Sequence, residues 1–190
     1  MNIGVLALQG DFIEHIQILR EMGIDATEVR LPEQLAGLDG LIIPGGESTT
    51  FGKLATEFNL VEPLRAFCES GKPVLGTCAG MIFLAKDVGM KQPVLGLMDV
   101  KVKRNAFGRQ VDSFETDLDI PALEPQAPFH AVFIRAPLVE SVGKDVEVLA
   151  KLEDGTIVAV RQDNLVATSF HPELTHDTRL HRLWLNGTRK

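Results

Sequence analysis

Lys72-Pro73-Val74-Leu75-Gly76-Thr77-Cys78-Ala79-Gly80-Met81-Ile82-Phe83-Leu84-Ala85 opens as a short apolar strand, stops at a cysteine and restarts as an apolar helix. Gly76 and Gly80 flank Cys78 as glycines flank the serine of G-x-S-x-G, because a sharp strand-to-helix turn leaves little room for side chains beside the nucleophile. The spacing predicts that Cys78 projects alone from the C-terminal end of a strand. It also predicts that Cys78 opens the following helix, where unpaired N–H groups and the helix dipole favour negative charge.

A nucleophilic thiol needs a base, and Ser169-Phe170-His171-Pro172-Glu173 has the right contents. Residues 165–170 alternate like a strand, so His171 is expected just past a strand end, on the same rim of a parallel sheet as Cys78. Pro172 fixes its own φ and keeps His171 out of the helical region. Glu173 is then spaced to reach the second ring nitrogen, fix the tautomer and stabilise the imidazolium, the role of a triad's third member. A third signal, Leu41-Ile42-Ile43-Pro44-Gly45-Gly46-Glu47-Ser48-Thr49-Thr50, runs from a buried strand through Pro-Gly-Gly into hydroxyl residues suited to capping a helix. Its glycines let backbone N–H groups approach a ligand, as a tetrahedral oxyanion requires.

The chain of 190 residues is long enough to bury a substantial core as one domain over 1–190. Its 45% hydrophobic and 24% charged residues suit a globular protein. A net charge of −7 argues against a nucleic-acid partner, which would need a basic face. The opening Met1-Asn2-Ile3-Gly4-Val5-Leu6-Ala7-Leu8 has no basic segment and too short an apolar run for a signal peptide or a membrane span, so the expected location is the cytoplasm. A reducing compartment makes a Cys68–Cys78 disulfide unexpected, and Cys68 reads as a small buried hydrophobe on an amphipathic helix. No Cys/His spacing suggests a metal site. His15, His130, His176 and His181 lack a comparable context, and His176 and His181 read as solvated helix positions.

The first half alternates short apolar strands (3–8, 26–29, 41–43, 74–76) with helical stretches, among them Phe12, Ile16 and Leu19 at helical spacing before Gly23, then 53–58 and 63–69. From about Val94 the texture changes to shorter alternating segments at 97–102, 111–116, 131–134, 146–152, 156–160 and 165–170, with Asp154-Gly155 as a hairpin turn and a last helix over 175–185. The expected fold is therefore α/β: a flavodoxin-like three-layer sandwich, its central sheet mostly parallel with added antiparallel strands, carrying a nucleophile elbow.

Pro44-Gly45-Gly46-Glu47-Ser48-Thr49, Gly76-Thr77-Cys78-Ala79-Gly80 and His171-Pro172-Glu173, in that order, resemble the triad-type (class I) glutamine amidotransferases. Leu8-Gln9-Gly10-Asp11, Arg104-Asn105-Ala106-Phe107-Gly108-Arg109-Gln110 with Asp112-Ser113-Phe114-Glu115, and Phe133-Ile134-Arg135-Ala136-Pro137 narrow the resemblance to the glutaminase subunits of pyridoxal 5′-phosphate synthase. The resemblance implies that Cys78 attacks the side-chain amide of L-glutamine while N–H groups of Gly46 and Ala79 receive the oxyanion. It implies that His171 and Glu173 serve as base and orienter, and that Gly46, Glu47, Ser48, Arg104, Ile134 and Arg135 hold the substrate. The arginines suit an α-carboxylate, since a guanidinium fork pairs with it in two places. No cofactor or metal is implied. A partner is: a (β/α)8-barrel synthase subunit that consumes the ammonia, contacts the chain near Gln9 and arranges the Gly46 region when it docks. Two competing readings are another cysteine hydrolase on the same elbow, such as a peptidase or γ-glutamyl hydrolase, and a noncatalytic regulatory module. The latter is disfavoured because Cys78, His171 and Glu173 are all present.

Overall fold

The computed structural model describes residues 1–104 and 113–187. Apolar runs and helical stretches alternate from the start: β1 (Asn2–Leu6), α1 (Phe12–Glu21), β2 (Asp25–Val29), β3 (Gly40–Ile43), α2 (Ser48–Glu57), α3 (Val61–Glu69), β4 (Val74–Thr77) and α4 (Ala79–Leu84). Strands dominate the remainder: β5 (Ala85–Asp87), β6 (Met98–Lys103), β7 (Ser113–Leu118), β8 (Phe129–Ile134), β9 (Leu138–Val142), β10 (Glu147–Lys151), β11 (Ile157–Gln162) and β12 (Leu165–Thr168), before α5 (Arg179–Asn186).

The parallel part of the main sheet runs β2-β1-β3-β4-β12, and antiparallel β11 continues it through β9 to β6, with β5 beside β6 and β10 paired to β11. This is the flavodoxin-like order, with β12 as the fifth parallel strand. The expected three layers are present because β3 and β4 are buried along their whole length and alternate side chains between two cores. Leu41 and Ile43 pack with Phe51, Leu64 and Phe83 from α2, α3 and α4, whereas Ile42 and Leu75 pack with Leu19, Leu180 and Trp184 from α1 and α5. Cys68 is buried on α3 as a free thiol, as its helical spacing implies. Among the described residues no helix is long and apolar enough to cross a membrane.

Some expectations need correction. The segments near 111–116 and 131–134 form a separate two-stranded sheet, β7 with β8, off the main one, and residues 111–112 lie outside the described ones. The last helix begins at Arg179, because Pro172–Leu174 forms a 3-10 turn first, and it ends at Asn186. His176 is exposed but precedes that helix. His181 is fully buried and not solvated, since it shares a face with Leu180, Trp184 and Leu185. Helix α2 starts five residues earlier than its periodicity suggested, and its cap is the Glu47 carboxylate, not a hydroxyl: Oε1 and Oε2 accept from the N–H groups of Thr49 and Thr50 at 3.1 and 2.7 Å.

Candidate active site

The parallel strands β1, β3, β4 and β12 end on one rim, and the loops that follow carry Asp11, Gly46, Cys78 and His171. Thr77 of β4 pairs with Thr168 of β12, so the residues just beyond them, Cys78 and His171, emerge together. The Cys78 N–H closes the junction by donating to the Thr168 carbonyl at 2.8 Å. Cys78 has φ 50° and ψ −101°, a backbone region that costs a non-glycine residue about 1–3 kcal/mol and that a nucleophile elbow imposes. The elbow closes because its glycines are mutually constrained: a Cβ on Gly76 would lie 2.8 Å from the Gly80 carbonyl, and one on Gly80 would strike the Ile43 carbonyl oxygen.

The His171 N–H donates to the Val132 carbonyl at 2.9 Å, and Nδ1 lies 2.7 Å from Oε1 of Glu173, whose side chain is fully buried. That short pair fixes Nδ1–H and leaves Nε2 facing the thiol. Burial alone would lower the His171 pKa, but Cys78 and Glu173 outweigh it and raise it to about 10. Nε2 has no aligned hydrogen bond among the described residues, and the thiol is turned toward the Ile134 carbonyl, 3.8 Å away. For Glu173, burial works to raise the pKa, and His15 and His171 on either side overcome it and hold it low.

In front of this group opens a cleft of about 340 Å³ lined by Asp11, Gly46, Glu47, Ser48, Cys78, Ile82, Arg104, Ile134, Arg135 and His171. A wider groove of about 520 Å³ around Asp145, Arg161 and Asn164 lies elsewhere and offers no nucleophile. The cleft gathers Gly46, Glu47, Ser48, Arg104, Ile134 and Arg135, all singled out in the sequence. Ser48 is buried with its hydroxyl unpaired among the described residues, and Arg104 spans the mouth, donating to Thr49 Oγ1, Gln92 Oε1 and Glu47 Oε1 at 3.1–3.2 Å. Ala79 is the first residue of α4, so its N–H has no acceptor within the helix. Gly46 has φ +144°, and a Cβ there would run into the carboxamide of Gln9. That carboxamide grips the next residue, accepting from the Glu47 N–H and donating to its carbonyl, each at 3.2 Å. Residues 105–110 and 112 of the Arg104 motif lie outside the described residues.

Two neighbours of the site escaped the sequence reading. Asp11 brings Oδ2 to 3.5 Å from His171 Nδ1, and its signal is position: it follows β1 on the same rim. Asp11, His171 and Glu173 place ligand-type atoms within 4.8 Å of one another, a closeness that their contacts through the imidazole explain without an ion. His15, behind Glu173, was detectable as a histidine on the buried face that Phe12, Ile16 and Leu19 define.

Comparison with known proteins gives the chain's family. The SNO glutamine amidotransferase family matches residues 5–190. A protein of Herpetosiphon aurantiacus named pyridoxal 5′-phosphate synthase subunit PdxT is 59% identical over 97% of this chain and 99% of its own length, and one of the same name from Moorella thermoacetica is 61% identical over 97% and 98%. A crystal structure of a glutamine amidotransferase superposes with a TM-score of 0.92 at 53% identity, over 98% of both chains. A putative GMP synthase subunit from Thermoplasma acidophilum, at 19% identity and a TM-score of 0.70, shares the fold alone. By these matches the chain belongs to the SNO glutamine amidotransferase family.

Proposed function

We propose that the chain hydrolyses L-glutamine to L-glutamate and ammonia at Cys78 and delivers the ammonia to a synthase subunit that builds pyridoxal 5′-phosphate. The observation that carries this reading is a cysteine at positive φ on the elbow, in one cleft with the imidazole of a 2.7 Å His171–Glu173 pair. The Cys78 sulfur attacks the side-chain carbonyl carbon of glutamine, its proton passing to His171 Nε2. The N–H groups of Gly46 and Ala79 receive the oxyanion of the tetrahedral intermediate. His171 then protonates the leaving nitrogen, ammonia departs and a glutamyl thioester remains. Water attacks that thioester as His171 takes its proton, and glutamate leaves as the thiol is restored.

The cleft suits a small substrate with a zwitterionic head and a neutral amide tail, as glutamine has. Arg104 and Arg135 suit its α-carboxylate, Glu47 its α-amino group and the Ser48 hydroxyl, unpaired among the described residues, a further polar atom of the ligand, with Ile134 as an apolar wall. Ammonia released into water becomes unreactive ammonium, so a consuming partner follows from the chemistry. The names of the Herpetosiphon and Moorella relatives point to a pyridoxal 5′-phosphate synthase, and we take the partner to be its (β/α)8-barrel subunit, docking near Gln9. The reaction is placed in the cytoplasm, where reducing conditions keep Cys78 a thiol. The test is glutamate release from L-glutamine by the chain with its synthase subunit. Cys78→Ala is expected to abolish release and glutamine-driven synthesis while leaving synthesis from added ammonium salts intact. Loss of ammonium-driven synthesis in a complex that still assembles would sink the donor role.

A further inference from the structure

Behind Glu173 the polar chain continues inward. His15, on α1 and without solvent exposure, places Nε2 3.4 Å from Glu173 Oε2 and 3.1 Å from Oγ1 of Thr77, the residue that precedes Cys78. Among the described residues Glu173 Oε2 has no closer partner and His15 Nδ1 has none. Beyond it the ring of His181 meets that of His15 edge-on at 6.1 Å, and both of its nitrogens likewise lack a partner among the described residues.

Two neutral tautomers of His15 compete. With the proton on Nδ1, a buried N–H would lack an acceptor and a buried carboxylate oxygen would lack a donor, and each is costly away from water. With the proton on Nε2, one N–H is shared between Thr77 Oγ1 and Glu173 Oε2, and only a lone pair on Nδ1 goes unused. Burial lowers the His15 pKa, even against the pull of the Glu173 carboxylate, which favours the neutral ring.

We propose that His15 is a positioning residue that donates from Nε2–H to the inner oxygen of Glu173, so that the carboxylate is held from both sides and presents Oε1 squarely to His171. The shared contact with Thr77 ties this support to the strand that carries Cys78, so α1 sets the angle between base and nucleophile. The proposal rests on the reading of Cys78, His171 and Glu173 as a catalytic triad.

The experiment has two arms. In the first, the full chain labelled with ¹⁵N-histidine is examined by NMR at neutral pH. The expected signature is a protonated Nε2, a bare Nδ1 and a downfield, slowly exchanging Nε2 proton for His15; a proton on Nδ1 would overturn the proposal whatever the protein's activity. In the second, His15→Gln, which keeps a donor near the Nε2 position, and His15→Met, which keeps the volume without it, are compared as glutaminases in complex with the synthase subunit. His15→Met is expected to lose about 10–100-fold in kcat, the usual cost of removing the partner that orients a functional group, with KM within about twofold, and His15→Gln to recover most of that loss. Equal impairment of both variants at unchanged melting temperature would overturn the role of the donor. An inactive parent complex would instead sink the triad reading and leave the tautomer result to stand by itself.

Discussion

Two glutamates flank Cys78, and each is held in its charged form by a different means. Glu173, inside, is enclosed without solvent and depends on two side chains, with His171 at 2.7 Å and His15 at 3.4 Å. Glu47, at the mouth, is about half exposed and accepts from the backbone N–H groups of Thr49 and Thr50, with Arg104 at 3.1 Å. Burial raises the pKa of both; at Glu47 the two N–H donors reverse it and take the value to about 2. A charge kept by side chains in a dry site is lost at a single substitution, because the surviving partners stay buried and unpaired. A charge kept by backbone at a wet surface is replaceable at small cost. The buried glutamate is fixed by its neighbours, whereas the exposed one is free to exchange partners.

The sharpest way to break this contrast is Glu173→Gln. The amide matches the carboxylate in size but can present its NH₂ group to Nδ1, which favours the wrong tautomer of His171. Glutamine hydrolysis by the complex is expected to fall about 10³–10⁴-fold in kcat, as when the carboxylate of a triad becomes an amide. A loss below tenfold, measured as glutamate release, would mean that Glu173 does not orient the base.

Gly80→Ala tests the frame that holds both glutamates in register with Cys78. In a free helix this change gains about 1 kcal/mol. Here the added Cβ meets the Ile43 carbonyl, with its carbon at 2.9 Å, and backbone at the end of a fully buried strand yields little. The clash wins, and denaturant unfolding should show a net loss of about 1–3 kcal/mol. A gain in stability would show that α4 can slide on β3 and that the elbow is less constrained than its contacts indicate.

Much of this frame was legible in the sequence, because its signals are local. Glycines at 76 and 80 mark a turn that only they permit, and the strand ends before Gly45, Cys78 and His171 are readable from apolar runs cut off by small or polar residues. The parallel half followed from alternation of strand and helix. What pairs with what in the second half is non-local: that β12 returns to lie beside β4, while β7 and β8 leave the main sheet, depends on long-range packing that no window contains. Strand β5 is three residues long, too short for any period to register, and β9 (Leu-Val-Glu-Ser-Val) buries only Val139 fully. His15 was passed over and His181 misjudged for another reason. Polarity suggested solvent for His181, but both stand at helical spacing from apolar residues, His15 four before Leu19 and His181 three before Trp184, and position on the face decided their burial.

The exposed glutamate gives the smallest effect and the most specific pH signature. Glu47→Gln keeps a side-chain oxygen for one N–H of α2 but removes the charge, so at neutral pH it should cost about 0.5 kcal/mol of stability, an N-cap contribution reduced by solvent screening. The folded pKa lies near 2, below the ordinary value of 4.5 that the unfolded chain shows. Stability from the charge is therefore fully present above pH 4.5 and is lost as pH falls from there toward 2. Parent and variant should differ in urea midpoint at pH 7 and converge below about pH 3, provided each remains folded there. Since Arg104 shares the same oxygen, salt should narrow the gap at pH 7 as well. A gap that persisted unchanged in acid would mean that Glu47 acts through its shape and not its charge, which would erase the distinction between the two glutamates at the mouth and floor of the cleft.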